Sequence, residues 1–322
     1  MGLFFYTLIG CDGFESLVLD EDQGPKAQRI ENSPNETLRE NPYQIGVEWN
    51  RRVLENVDVA SRQVFQLYRS GMGAVGTGTY IGEIGGKHLV MTAAHTYKEL
   101  SSCRNEVSFI AKSEKFDLYF YCSDWSFQLK DNDVLFFEIK SPDAGAFENL
   151  KPVAFSEKSL KAGDPLRMLT IERLMPDFNF NWFIDDSSDC VLLRENSRYL
   201  LDPDTGVQEK GDGSDRLASW SLPIGCDGKH GDSGAPVFDE EFGLTGILWT
   251  GKYPKTEASG DIKFLSTRSV WSNFNYMVPI SKISSELERV IGNEFYLSLE
   301  TRNVLKGLSA AIKNEESEYL GF

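Results

Sequence analysis

The sequence predicts an all-β protein of antiparallel sheets that ends in helices. From about residue 43, short apolar runs such as GTYIGEI, HLVMTAA and DVLFFEIK alternate with Gly, Asp, Asn and Pro. The runs have the length of strands and are rich in the β-branched and aromatic residues that strands favour. Helical patterns do not separate them, which excludes a doubly wound parallel sheet. Many short strands in one chain favour antiparallel β-sandwiches or β-barrels.

Helices are predicted only near the C-terminal end. In the first, Ser285 and Glu288 have the spacing of a capping box, and Gly292 is placed to end the helix. A second helix is predicted over 301–315, with an apolar stripe that packs against the sheets. The apolar faces consist of Ile283, Leu287, Val290 and Ile291 in the first helix, and of Val304, Leu305, Leu308 and Ile312 in the second.

The N-terminal segment, residues 1–11, is apolar and ends at Cys11. The run LIGC resembles a bacterial lipobox, in which the cysteine is acylated after the signal is removed. The basic residues that begin such a signal are missing, so we interpret the segment either as a truncated lipoprotein signal or as a chance apolar run. Residues 12–42 are polar and acidic with little periodicity, which predicts a tether or a pro-segment.

Composition narrows the class of protein. A chain of 322 residues with 41% hydrophobic residues can bury a full core, in one large domain or two small ones. The formal net charge of -16 repels phosphate backbones, so we expect no nucleic-acid partner. The sequence has no apolar run long enough to span a bilayer, which leaves lipid on Cys11 as the predicted membrane attachment.

The cysteine count favours an oxidising compartment. Of the five cysteines, lipid on Cys11 would leave an even number for disulfides. Their order suggests that Cys103 pairs with Cys122 and Cys190 with Cys226, although the sequence alone permits three pairings. We therefore expect a secreted or cell-envelope protein; the alternative is a cytosolic protein with reduced, buried cysteines.

Two segments carry the candidate chemistry. The sequence has only three histidines, and histidine is the side chain whose unperturbed pKa lies near neutral pH. His95 ends GAVGTGTYIGEIGGKHLVMTAAH, and Ser233 lies in the glycine-rich stretch GCDGKHGDSGAPVF. A serine hydroxyl is a weak nucleophile until a base takes its proton, so a histidine paired with this serine is the arrangement that nucleophilic catalysis needs. His88, at the start of the strand leading to His95, is assigned a structural role.

Taken together, these segments resemble the chymotrypsin/trypsin-like serine proteases over residues 43–295. Gly76-Thr77-Gly78, Thr92-Ala93-Ala94-His95 and Gly231-Asp232-Ser233-Gly234 match the family motifs in their order. The resemblance implies two antiparallel six-stranded β-barrels with a boundary near 145–160, an active site between them, and a helical extension over 296–322. It also implies a serine endopeptidase that acts through an acyl-enzyme intermediate.

The family pattern also assigns roles to residues. His95 would be the base, Ser233 the nucleophile, and the N–H groups of Gly231 and Ser233 the oxyanion donors. The third triad member should be an aspartate followed at once by a buried strand, which selects Asp133 in DNDVLFFEIK. Asp131 is the alternative, with turn capping as its other role.

Substrate preference is assigned through the same resemblance. Asp227, six residues before Ser233, is at the position of the pocket base in trypsin-like enzymes and would favour Arg or Lys. The pair Cys190 and Cys226 resembles glutamyl endopeptidase-like proteins, and a disulfide there could turn Asp227 away from the pocket. Further substrate contacts are expected from four residues: His230, Trp249, Thr250 and Gly251.

Two hypotheses concern activation. In trypsin-like zymogens the residue before the serine, here Asp232, pairs with a newly cut N-terminus. A cut within Arg51-Arg52-Val53-Leu54, after Arg52, would supply that terminus, although Glu55-Asn56 replaces the usual two glycines. Alternatively, residues 45–51 resemble the mature start of bacterial glutamyl endopeptidases. Hydrogen bonding to nearby backbone amides is the structural alternative for Asp232.

Two competing functions remain open at this point. One is a catalytically silent protease-like binding or scaffold protein of the cell envelope. The other is a tethered protease whose acidic N-terminal segment blocks the cleft until it is cut. The histidines are scattered and lack the spacing of metal ligands, so we expect no metal site. The sequence has no phosphate-binding loop and no dinucleotide fingerprint, so we expect no cofactor. We expect a monomer acting on a protein or peptide substrate.

Overall fold

The structure is a computed structural model of the chain. It describes residues 28–29, 51–55, 60–69, 73–96, 107–113, 116–173, 180–201, 218–228, 231–251, 275–293 and 297–314. Residues 1–11 lie outside this set, and within 12–42 only a two-residue strand is described, so the predicted signal and tether remain predictions.

The first half of the chain forms a closed six-stranded antiparallel barrel. Its strands are β3 (Val64–Arg69), β4 (Gly73–Ile84), β5 (Lys87–Ala93), β6 (Val107–Ser113), β7 (Phe116–Leu129) and β8 (Val134–Lys140). Their spatial order is β3-β4-β5-β8-β7-β6, and pairing between β3 and β6 closes the barrel. Apolar side chains from β3, β4, β5, β7 and β8 fill its interior, as the inside of a small barrel requires. The interior cluster includes Phe65, Leu67, Val90, Phe120, Leu135 and Phe137.

The second sheet has nine strands, seven from after the barrel and two from before it. Its strands are β1 (Gln28–Arg29), β2 (Arg52–Val53), β9 (Arg167–Arg173), β10 (Phe180–Asp185), β11 (Arg198–Leu201), β12 (Ala218–Ile224), β13 (Pro236–Phe238), β14 (Leu244–Gly251) and β15 (Asn275–Pro279). The order is β1-β11-β12-β15-β14-β13-β9-β10-β2, and every pair is antiparallel except β1 with β11. Among the described residues no ladder joins β10 to β12, so the sheet is open there. The strand β1 lies within the segment predicted to be a tether.

The two sheets pack against each other with the nucleophile bend at their junction. The Thr77 N–H on β4 donates to the Ser233 carbonyl oxygen at 2.8 Å. On the far side, the Trp182 Nε1–H of β10 donates to the Val64 carbonyl oxygen at 3.2 Å. The predicted all-β architecture with C-terminal helices is confirmed. The first predicted barrel is closed and has six strands, whereas the second is an open sheet of nine strands.

Two helices follow the last strand. The first, α1 (Ile280–Gly292), buries Ile283 and Leu287, and the second, α2 (Leu299–Ile312), buries its predicted apolar stripe. The predicted capping box in α1 is wrong, because β15 runs directly into the helix and Pro279 is the N-cap without a side-chain hydrogen bond. The Ser285 hydroxyl instead donates to the Ser281 carbonyl oxygen inside the helix. The predicted end of α1 at Gly292 agrees with the structure.

In the part of the chain that the structure describes, we find no helix with the length and apolar character that a membrane span requires.

Candidate active site

The candidate histidine and aspartate lie at neighbouring strand ends of the barrel. His95 lies in a 3-10 turn, Ala94–Thr96, that follows β5 directly, and Asp133 immediately precedes β8. Because β5 and β8 are paired with Ala93 opposite Val134, the two residues are brought side by side. The Ala94 N–H donates to the Asp133 carbonyl oxygen at 2.7 Å, which ties the two turns together.

Three side chains form a continuous hydrogen-bonded chain. His95 Nδ1 lies 2.6 Å from Asp133 Oδ2, and His95 Nε2 lies 2.9 Å from Ser233 Oγ. The His95 backbone N–H also donates to Asp133 Oδ1 at 3.0 Å, so both carboxylate oxygens face the histidine. With the proton on Nδ1 donated to the aspartate, Nε2 is left to accept the Ser233 hydroxyl. The three residues predicted to be a triad therefore meet, as that prediction requires.

Asp133 has an unusual backbone conformation. Its φ is +48°, in the left-handed region that aspartate and asparagine adopt more readily than most residues. In this conformation both carboxylate oxygens contact His95 in the neighbouring 3-10 turn. The alternative residue, Asp131, instead pairs with Arg289 at 2.8 Å on the protein surface.

The nucleophile bend runs from Gly231 to Ala235. Gly231 has a φ of +98° and Gly234 a φ of +87°, both in the region that favours glycine. At Gly234 an added Cβ would lie 2.2 Å from the Thr77 carbonyl oxygen, so the first barrel leaves no room for a side chain there. Among the described residues, neither the Gly231 N–H nor the Ser233 N–H donates a hydrogen bond. Their assignment as oxyanion donors stays a prediction.

Asp232, between these two donors, is buried against Arg51. Arg51 Nη1 donates to Asp232 Oδ2 at 2.9 Å, and the two side chains are 0% and 1% exposed. The sequence suggested a new N-terminus or backbone amides as partners of this carboxylate. In the uncut chain the carboxylate binds the guanidinium of Arg51, which directly precedes the strand β2.

The helix α1 binds the turn that precedes Asp133. Glu286 accepts hydrogen bonds from the Asp131 N–H at 3.1 Å and from Asn132 Nδ2 at 2.6 Å. The Ser219 hydroxyl donates to the Asn132 carbonyl oxygen at 2.9 Å. Burial, more than any other effect, raises the pKa of Glu286 to about 6. The C-terminal helix therefore positions the aspartate turn through a carboxylate that titrates close to neutral pH.

Asp227 lies in a buried, cross-linked part of the second sheet. The disulfide Cys190–Cys226 is formed, as predicted. The Asp227 N–H donates to Asp185 Oδ2 at 2.6 Å, and Asn275 Nδ2 donates to the Cys226 carbonyl oxygen at 2.6 Å. Both aspartates are buried. The backbone around Asp227 is thus anchored from two strands.

The remaining predicted substrate residues lie on β14 or outside the described set. Trp249 is fully buried and its side chain belongs to the core, so only its backbone can face a substrate. Thr250 and Gly251 pair with Tyr276 and Asn275 on β15. Three predicted positions lie outside the described residues: Cys11, Cys103 and His230. Cys122, the predicted partner of Cys103, is disulfide-bonded.

His88 lies partly buried on β5 and contacts two aromatic side chains. His88 Nδ1 lies 2.8 Å from the Tyr80 hydroxyl oxygen, and the His88 ring stacks on Phe147 at 3.8 Å between centroids. Burial lowers the pKa of His88, which favours the neutral ring. These contacts agree with the structural role expected for it. Among the described residues, no group of His, Cys, Asp and Glu side chains could hold a metal ion.

Sequence reasoning missed three residues that support the site: Arg51, Asp185 and Glu286. For Asp185 a local signal exists, because Asp-Asp-Ser-Ser after a strand is typical of an aspartate that caps a turn. Its Oδ1 accepts from both the N–H and the hydroxyl of Ser187. Arg51 was considered only as part of a cleavage sequence, and Glu286 only as part of a helix.

The structure of this chain aligns with solved protease structures at low sequence identity. No protein-family model and no curated protein matches the sequence. The active form of the Rv3671c protease from M. tuberculosis aligns with a TM-score of 0.46 and 15% identity, over 78% of this chain and 91% of that one. Its inactive form aligns with a TM-score of 0.44 and 18% identity, over 73% and 91%. A Glu endopeptidase in complex with MPD aligns with a TM-score of 0.49 and 11% identity, over 76% and 98%.

The strand order of the closed barrel and the packing of a second antiparallel sheet against it are observed directly in this chain. These features agree with the chymotrypsin-like fold that the sequence motifs imply.

Proposed function

We propose that the chain is a serine endopeptidase that hydrolyses peptide bonds through Ser233, His95 and Asp133. The observation that carries the proposal is the hydrogen-bonded chain from the Asp133 carboxylate through His95 to the Ser233 hydroxyl. Such a chain activates a hydroxyl that would otherwise be a weak nucleophile.

The proposed reaction follows from the direction of these hydrogen bonds. Ser233 Oγ attacks the scissile carbonyl carbon while His95 Nε2 takes the hydroxyl proton. Asp133 stabilises the resulting imidazolium and holds the ring in place. The N–H groups of Gly231 and Ser233 bind the oxyanion. His95 then gives its proton to the leaving amine, and water hydrolyses the acyl-enzyme by the same route.

For substrate preference, we propose that Asp227 selects Arg or Lys at the residue before the scissile bond. A buried carboxylate at this position favours a cationic side chain by charge-assisted hydrogen bonding. Peptide substrates that differ only in this residue, as Arg, Lys, Glu or Ala, test the preference. A kcat/KM that is highest for Glu, or that Asp227→Ser leaves unchanged, would contradict it.

The predicted activation cut and the location of the protein are separate from the reaction itself. Activation by a cut after Arg52 stays a prediction, and it requires the new terminus at Val53 to reach a carboxylate that Arg51 already binds. We also propose a secreted or cell-envelope location, which the Cys190–Cys226 disulfide supports. Fatty-acid labelling that Cys11→Ser abolishes would support lipid attachment, and equal labelling of both proteins would contradict it.

Labelling with a fluorophosphonate probe tests the central proposal. We expect the full chain to react, and Ser233→Ala and His95→Ala to abolish or greatly reduce the reaction. Asp131→Asn is the matched control for Asp133→Asn, because the two aspartates share one turn and only Asp133 contacts His95. A folded protein that neither reacts with the probe nor cleaves a peptide library would instead be a catalytically silent binding protein.

A further inference from the structure

Arg51 is buried beside the nucleophile bend, far from it in sequence. Its Nη1 donates both to Asp232 Oδ2 at 2.9 Å and to Thr170 Oγ1 at 2.6 Å, and the Arg51–Asp232 contact spans 181 positions. The guanidinium carbon lies 5.4 Å from the centroid of the Phe183 ring. A charge-assisted bond, a hydroxyl and an aromatic face together stabilise a cation in a site from which water is excluded.

The strand β2 follows Arg51 directly and fixes its position beside the bend. It pairs with the edge of β10, and the Leu54 N–H donates to the Trp182 carbonyl oxygen at 2.8 Å. Arg51 directly precedes this strand, and its side chain is fully buried. Arg52, the first residue of the strand, is exposed and pairs with Asp186 at 2.6 Å.

The bend depends on the cation because Asp232 separates the two oxyanion donors. A buried carboxylate without a balancing cation is strongly unfavourable. Without Arg51, Asp232 would lose the cation that it binds in this buried site. A shift of Asp232 toward water would rotate the backbone between Gly231 and Ser233 and move their N–H groups away from the oxyanion.

We infer that Arg51 is a positioning residue whose guanidinium holds Asp232, and through it the oxyanion bend, in the uncut chain. This inference rests on the proposed function. It implies that catalysis needs no cut after Arg52, since the uncut chain already carries a cation at the carboxylate that a new N-terminus would otherwise bind. Arg51 acts through Asp232 and does not contact the reacting atoms.

The experiment compares variants of the full chain, with the intact mass recorded before and after each assay. The test variants are Arg51→Met and Arg51→Lys. The matched control is Arg52→Gln, which removes the neighbouring arginine and the proposed cleavage site but leaves Arg51 in place. The readouts are the rate of fluorophosphonate labelling, kcat and KM on one peptide substrate, and affinity for a peptide aldehyde, whose adduct places an oxygen on the oxyanion donors.

We expect uncut Arg52→Gln to stay within about twofold of the unaltered chain. Arg51→Met should lower kcat and the labelling rate about 10²-fold, since misplacing an oxyanion donor has an effect of that order. KM should change little, aldehyde affinity should fall with kcat, and Arg51→Lys should recover part of the loss. A purely structural role would lower the folded fraction without separating kcat from KM.

Equal activity of Arg51→Met and Arg52→Gln would overturn the inference. Activity that appears only once the mass matches a chain beginning at Val53 would overturn it as well. If Arg51→Met does not unfold cooperatively, Asp232→Asn is the variant that tests the inference. Its kcat is expected to be at least about tenfold lower than that of the unaltered chain, and an unchanged kcat overturns the inference. Failure of both the uncut and the cut chain to react would instead overturn the proposed function itself.

Discussion

Glu286→Gln tests how the C-terminal helix is coupled to the aspartate turn. Burial raises the pKa of Glu286 from 4.5 to about 6. The hydrogen bonds from the Asp131 N–H and the Asn132 side chain and the charge of Arg289 oppose the shift, while the charge of Asp131 adds to it. Between these two pH values the folded chain binds the Glu286 proton more strongly than the unfolded chain does. The free energy of unfolding therefore falls as pH rises through this window. The full effect is about 2 kcal/mol, at about 1.4 kcal/mol for each unit of pKa, and Gln removes it.

The assay is urea unfolding followed by tryptophan fluorescence at pH 5.0 and pH 7.5, both above the isoelectric point near 4.7. Over this interval the unaltered chain should lose about 1.2 kcal/mol relative to Glu286→Gln. The control is Glu288→Gln on the same helix, whose carboxylate is about half exposed and pairs with Lys313. A difference that does not change with pH, or one that Glu288→Gln reproduces, would refute the assignment of the shift to burial of Glu286.

Three further outcomes are expected. Asp133→Asn should lower kcat/KM about 10⁴-fold in peptide hydrolysis with little change in stability; a loss under tenfold would contradict its role. Gly234→Ala should lower both Tm and labelling, because its φ is +87° and its Cβ would lie 2.2 Å from the Thr77 carbonyl oxygen; an unchanged Tm in a thermal scan would count against this. Replacing Cys190 and Cys226 by Ser should lower the free energy of unfolding by about 3 to 4 kcal/mol, as expected for a cross-link spanning 36 positions, and urea unfolding that shows a loss under about 1 kcal/mol would oppose the estimate.

The chemistry of the site and much of the fold can be predicted from local sequence. Strands were predictable because alternating apolar side chains and turn residues act over a few positions. Asp133 could be chosen over Asp131 because a buried strand follows it directly. The glycines of the nucleophile bend were predictable for a similar reason, since a left-handed φ is a property of one residue and its neighbours.

The prediction from local sequence was wrong where an element elsewhere in the fold sets the start of a helix. The capping box of α1 was predicted from spacing alone, but β15 enters the helix directly and Pro279 begins it. Packing of the strand on the second sheet sets that entry point, so the favourable local pattern is not used.

What the sequence by itself determined is the set of reacting groups: a serine in a glycine bend, a histidine after a strand, and an aspartate before one. What only the tertiary structure decided is how those groups are held. Arg51 reaches Asp232 across 181 positions, and Glu286 reaches Asn132 across 154. Such contacts depend on the pairing register of β2 with β10 and on where α1 crosses the barrel. No local pattern encodes them, because burial and sheet register act on the whole chain at once.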